Sequence, residues 1–200
     1  MSGWNKYFKK SIIIIIGSII SAYGIDLAIH AGFGGATLAV LWQGLAHVLP
    51  ITIGQASFLV AIAMIVFCLF CDRSQIHIGT LLYQVFYSLF VDIFANQLWY
   101  SNSLYINFLI MIFGIIIFAF GTAMYSITDF GRGSYEALTF ALVKKFNGQV
   151  KIIRMILDAC VVILGILLGG SFGLCTVVTI LISGILIQFW LEKLKKVIKV

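Results

Sequence analysis

Arg154 and Asp158 stand four residues apart inside the apolar run from Val150 to Gly169. That spacing puts both on one helix face. Asp158 lies roughly 12 Å along the helix, where a charge in hydrocarbon is costly and marks either a partner or a pathway. Two readings stay open. The pair is a structural ion pair with Arg154 snorkelling to the surface, or it lines a path. Asp92 and Gln84 belong to a second pattern, the stripe Thr80, Gln84, Ser88, Asp92, Asn96. Its four-residue spacing keeps these side chains on nearly one face, as a wet path or as interhelical hydrogen bonds require. Asp26 and His30 form a third pair, also four apart. They suit a proton-linked couple because imidazole titrates near neutrality. Their place at the end of an apolar run favours solvation or capping instead.

Two glycine-rich breaks carry the remaining chemistry: Ala31 to Ala39, AGFGGATLA, and Thr128 to Glu136, TDFGRGSYE. Each follows a long apolar run and precedes a short one. A helix that starts after such a break aims unpaired N–H groups at what lies before it, which suits an anionic group. The candidates for solute binding are therefore Gly34, Gly35, Gly131, Gly133 and the cation Arg132. The plainer reading is that glycine lets the chain turn and that Glu136 caps the next helix. A Walker motif, H-E-x-x-H and a nucleophile elbow are absent from the sequence, so no catalytic residue, metal site or cofactor is expected, and the chain reads as a non-enzyme. Cys68 and Cys71 form a lone C-x-x-C inside an apolar run, short of the four ligands of a structural zinc.

These residues are carried by a hydrophobic chain. Of 200 residues, 62% are hydrophobic and 10% charged, and the mean hydropathy is +1.12; soluble domains carry about 25% charge. Several runs reach the ~20 apolar residues that cross a bilayer. The fold class expected is all-α, a polytopic transmembrane helical bundle. Helices are predicted over 11–29, 37–49, 54–71, 78–98, 106–127, 134–146, 150–169 and 174–194. An offset of 97 superposes Gly17 on Gly114, Gly24 on Gly121 and Phe33-Gly34 on Phe130-Gly131, the mark of an internal repeat. The division is then 1–10 as a cytoplasmic N-terminus, 11–98 as the first repeat, 99–105 as a connector with Trp99, Tyr100 and Tyr105 at headgroup level, 106–194 as the second repeat, and 195–200 as a basic cytoplasmic tail.

The runs 37–49 and 134–146 are too short to span. If they only dip into the membrane, each repeat has three spans and the second is inverted. All 13 Lys and Arg then fall on the cytoplasmic side, as the positive-inside rule prefers. If they cross, the repeats are parallel and Arg73 and Arg132 lie outside. The 3+3 inverted form, with a broken or re-entrant helix in each repeat, is the one expected. The net charge of +6 sits at the ends of apolar runs, and Lys193, Lys195, Lys196 and Lys199 would meet anionic lipid headgroups; nucleic acid is not an expected partner.

The Phe-Gly breaks, the stretch His77-Ile78-Gly79-Thr80-Leu81 leading to Val91-Asp92, and Arg154 with Asp158 resemble the YczE/YyaS/YitT-type bacterial membrane proteins, nearest the YczE-like branch, from about Gly24 to Trp190. The resemblance implies a multi-pass protein of the bacterial cytoplasmic membrane in a family without an agreed activity. Family members often carry a proline and an acid just after the glycines. Here Thr37-Leu38-Ala39 has neither, and Ser134-Tyr135-Glu136 has only the acid. The function expected is a small secondary transporter or permease for a small solute, with its path between the repeats through Asp92, Arg154, Asp158 and Gln84. The alternative is a non-transporting accessory membrane protein that supports a partner complex.

Overall fold

A computed structural model describes residues 3–95 and 100–197. Asn96 of the polar stripe, Trp99 of the connector and Lys199 of the tail lie outside the described residues. Within them the chain is helical, with no strand: α1 (Gly3–His30), α2 (Thr37–Val48), α3 (Ile53–Cys71), a 3-10 turn (Arg73–Gln75), α4 (Ile78–Ala95), α5 (Leu104–Ser126), α6 (Ser134–Phe146), α7 (Val150–Leu167) and α8 (Leu174–Val197). Five helices are long and apolar enough to cross a membrane: α1 over Tyr7–His30, α3, α4, α5 and α8. The described α7 has 18 residues but carries Lys151, Arg154 and Asp158. With 12 and 13 residues, α2 and α6 rise only about 18–20 Å and fall short of a bilayer.

Local chemistry fixes these boundaries. α3 starts at a capping box after the sole proline, Pro50: Thr52 Oγ1 accepts the Gln55 N–H and Gln55 Oε1 accepts the Thr52 N–H, both at 3.1 Å, which satisfies two orphan donors at once. α6 stops at Asn147, left-handed at φ +51°, a conformation asparagine tolerates. α1 departs most from the sequence-based boundary. It begins at Gly3 rather than residue 11, taking Lys9 and Lys10 into the helix as a basic extension.

α1 and α5 form the centre and run antiparallel. Gly17 packs against Gly121 and Gly24 against Gly114, so the early part of one helix meets the late part of the other. α4 lies along α1 and α8 along α5; α2 packs on α7 and α3 on α6. At one end of the bundle, Tyr7 at the start of α1 stacks near Phe130, ring centroids 5.6 Å apart, and Lys144 of α6 reaches Asp72 at 3.0 Å. At the other end, the Tyr100 hydroxyl donates to the Asp26 carbonyl at 3.2 Å. Outward faces are apolar, with Phe70, Leu104 and Leu181 exposed, as a lipid solvent allows.

Each glycine break docks on the first turn of a distant helix. Phe33 O accepts the Cys175 N–H at 2.9 Å and Gly35 O accepts the Thr176 hydroxyl at 2.6 Å, both from α8. Phe130 O accepts the Gly79 N–H of α4 at 3.2 Å. Both contacts require glycine. Gly34 has φ +87° and a Cβ there would stand 2.5 Å from Gly173 N; Gly131 has φ +148° and its Cβ would stand 2.7 Å from Thr80 N.

Candidate functional site

The breaks turn the chain so that α2 and α6 both begin inside the bundle. Their first turns, Ala36–Ala39 and Gly133–Glu136, line one central cavity of about 100 Å³. That space holds several waters or a small organic solute. Four of the rings that line it touch in series. Trp42 lies 6.0 Å from Tyr87, Tyr87 5.3 Å from Tyr83, and Tyr83 4.1 Å from Tyr125, centroid to centroid. A wider vestibule of about 600 Å³, bordered by His77, Asp129, Gly131, Arg132 and Gln188, adjoins the cavity. The two share Tyr125, Glu136, Arg154 and Ile187.

Two carboxylates reach this space, each held by a tyrosine. The Tyr135 hydroxyl donates to Asp158 Oδ1, and the Tyr125 hydroxyl donates to Glu136 Oε2 at 2.9 Å. Gly133 leaves room for the second contact, since a Cβ there would fall 2.2 Å from Glu136 Oε2 and 2.6 Å from the Tyr125 oxygen. Arg154 extends over the Tyr135 ring, 5.0 Å from its centroid. Its Nε is 4.0 Å from Asp158 Oδ2 with the arginine side chain 37% exposed. The pair read from the i,i+4 spacing is therefore loose, and the main partner of Asp158 is Tyr135. Gln84 donates to Ser88 at 2.9 Å and Ser88 meets Ser57 of α3 at 2.7 Å. This part of the stripe ties helices together while Gln84 also borders the cavity.

The structure brings Gln84, Gly133, Arg154 and Asp158 together at the cavity and puts Gly131 and Arg132 at the vestibule. It moves three sets of candidates elsewhere. Asp92 does not line the cavity; it caps α3 from the side, accepting the Gly54 N–H at 2.7 Å and the Thr52 hydroxyl. The stripe shows which face Asp92 occupies, and that face meets a helix N-terminus with free amides. Gly34 and Gly35 serve the docking onto α8, and the cavity lining begins one residue later at Ala36. Asp26, expected to be solvated or capping, is completely buried, with its Oδ1 3.2 Å from Nδ1 of a 30% exposed His30.

Sequence reasoning passed over Trp42, Tyr83, Tyr87, Tyr125 and Tyr135, because an aromatic residue in an apolar helix carries no periodic signal of its own. The plainer reading of the second break makes Glu136 a cap. In the structure its carboxylate turns to Tyr125, and α6 has no side-chain cap. Among the described residues, no three His, Cys, Asp or Glu side chains gather as a metal site would require.

Comparisons with known proteins agree with the resemblance read from the sequence. The profile of the family described as "Family of unknown function (DUF6198)" matches residues 8–192. An uncharacterized protein of Haemophilus influenzae is 30% identical over 189 residues, covering 94% of this chain and 86% of the relative. The uncharacterized membrane protein YczE of Bacillus subtilis is 25% identical over 192 residues, 95% of this chain and 86% of its own. The uncharacterized protein YyaS of the same organism is 23% identical over 179 residues, 88% of this chain and 89% of its own. No solved structure matches the chain.

Proposed function

Since the chain belongs to the DUF6198 family of unknown function, we propose its activity from the cavity itself: it is a small secondary transporter whose path runs between two inverted units of three spans each. The observation that carries this reading is that both short helices begin at one cavity, which adjoins a vestibule at a single end of the bundle. Broken helices whose first turns face a midplane site are the recurrent build of secondary transporters. The antiparallel α1 and α5 and the reciprocal docking of each break on α8 or α4 support the inverted arrangement. Under it, the end holding Arg73, Arg132 and Lys144 is cytoplasmic, and Lys193, Lys195 and Lys196 rest against anionic headgroups. The path is lined by Gln84, Arg154 and Asp158, with Glu136 at the narrowing to the vestibule; no side chain is assigned a catalytic role.

The test compares small-molecule contents of cells carrying the wild-type protein, Asp158→Asn, or none. Solutes whose levels depend on the wild-type protein should return to the empty-cell level with Asp158→Asn at equal amounts of protein in the membrane. No difference between cells with and without the protein would favour the accessory role instead.

A further inference from the structure

The antiparallel pair α1 and α5 carries a second hollow, away from the central cavity and on a side that faces lipid. It measures about 580 Å³, and every side chain that lines it is aliphatic or aromatic. Ile20 of α1 and Ile117 of α5 belong to its floor. An edge-to-face ring pair stands at each end: Tyr23 with Phe94 of α4, centroids 5.2 Å apart, and Phe120 with Trp190 of α8, 5.1 Å apart. Tyr23, at the rim, is exposed. These residues correspond at the offsets of the sequence, Ile20 to Ile117 and Tyr23 to Phe120 at 97, and Phe94 to Trp190 at 96. An occupant therefore meets the same surface from either end, which suits a uniform hydrocarbon chain.

Such a hollow is filled in a bilayer. Left empty, its lining forfeits dispersion contacts, and at this depth the solvent is hydrocarbon. What selects the occupant is the chemistry at its ends. Lys193 follows Trp190 by one turn on the same face of α8. Its ammonium lies 4.5 Å from the Phe189 centroid and 6.0 Å from that of Trp190, the second at the limit of a cation–π contact. Lys193 is exposed and belongs to no ion pair among the described residues. The adjacent Glu192 is taken by the Gln188 amide at 3.1 Å. The other end differs. The position corresponding to Lys193 is Gln97, and no Lys or Arg occurs between Arg73 and Arg132. The hollow is apolar throughout and has a lysine at one end only.

We propose that this groove binds one anionic phospholipid, an acyl chain lying along Ile20 and Ile117 between the two ring pairs and the phosphate at Lys193. Under the inverted arrangement the lipid belongs to the cytoplasmic leaflet. The binding itself depends neither on that orientation nor on transport. A second copy of the chain suits the face less well. An isologous interface must be self-complementary, whereas two copies meeting here would set hollow against hollow and bring two sets of Lys193, Lys195 and Lys196 together.

Native mass spectrometry of the delipidated full-length protein in detergent tests this, with phosphatidylglycerol and phosphatidylcholine of identical acyl chains as probes. One phosphatidylglycerol should be retained per protein, about fivefold more tightly than phosphatidylcholine, the preference that one lysine near a headgroup supplies. Lys193→Gln should remove that preference and leave the affinity for phosphatidylcholine unchanged. Lys195→Gln, which removes the same charge from another face of the helix, should keep the preference. Ile117→Trp fills the groove and should weaken both lipids about tenfold. Leu181→Trp, at an exposed position of α8 outside the groove, should weaken neither. Equal retention of the two lipids by the wild type, or equal weakening by Ile117→Trp and Leu181→Trp, would mean annular lipid only and overturn the site. A dimer that Ile117→Trp dissociates would give the face to a second copy and overturn it as well.

Discussion

Gly24 and Gly114 meet backbone to backbone in a reciprocal contact: a Cβ on either would stand 2.7 Å from the carbonyl oxygen of the other. Gly17 and Gly121 repeat the contact one end further along, with corresponding separations of 3.0 and 2.7 Å. Two central helices this close have no room for side chains at the crossing, and small residues are what allow such approach in a membrane.

Gly24→Ala should therefore destabilise the protein by about 1–3 kcal/mol, the usual range for overpacking, because the new methyl would stand 2.3 Å from the Phe118 N. Gly184→Ala on α8 is the control. Nothing lies within 4 Å of a Cβ there, and alanine is the better helix former. Detergent melts should show a lowered midpoint for the first and an unchanged or raised one for the second. Equal midpoints would contradict the close α1–α5 contact.

The coupling of Tyr135 to Asp158 should exceed that of Arg154 to Asp158. A hydrogen bond to a charged group contributes about 1.5–3 kcal/mol, whereas an ion pair at 4.0 Å with a 37% exposed arginine is limited to about 0.2–1 kcal/mol by solvent. Double-mutant cycles with Tyr135→Phe, Arg154→Ala and Asp158→Asn, read by thermal melts, measure both. A larger Arg154 term would return the pair to the tight form read from spacing.

Asp92→Ala should cost about 1 kcal/mol, as lost helix caps typically do, since it frees the Gly54 amide. Solute dependence should survive once the variant is compared at equal membrane amounts. Loss of solute dependence with an unchanged melting point would return Asp92 to the path.

The contrast between Asp92 and Asp158 shows what the sequence carried. Periodicity identified both faces, and the short helix Ser134–Phe146 was readable because Gly133 and Asn147-Gly148 delimit it. Periodicity does not say which neighbour a face meets, so Asp92 passed for path and Asp26 for solvent. The tyrosine partners were hidden because their rings match the apolar background. Their hydroxyls acquire meaning only when α6 folds against α5 and α7.

Asp72 gives the protein a pH-dependent link on its basic end. Hydrogen bonds from Gln75, Lys144 and Ser74 hold its carboxyl well below the usual carboxylate range. A depressed folded-state value means the contribution is fully present above the unfolded value of about 3.9. It is lost as pH falls below that toward the folded value. Asp72→Asn should melt below wild type at neutral pH, and the gap should narrow only under acid conditions and shrink with added salt. A gap that persists unchanged in strong acid would show that the charge on Asp72 is irrelevant.

Orientation is the last expectation, and the antiparallel α1 and α5 bear on it directly. In the inverted arrangement the chain leaves α1 at the outer face and turns through α2 without crossing. It then crosses in α3 and in α4, and so begins α5 at the outer face. A full crossing by α2 would instead put four spans before α5 and make it run parallel to α1. Single cysteines at Arg73, Arg132, Asn102 and Ser171, on a background lacking the four native ones, separate these cases. A membrane-impermeant thiol reagent on intact spheroplasts should label Asn102→Cys and Ser171→Cys and spare Arg73→Cys and Arg132→Cys. Position 171 faces outward in both arrangements and serves as the control for access. The expectation follows from insertion physics, since it gathers all 13 basic residues on one side and leaves two helices of 12 and 13 residues uncrossed. Labelling at positions 73 and 132 with protection at 102 would make α2 and α6 full spans and the two units parallel.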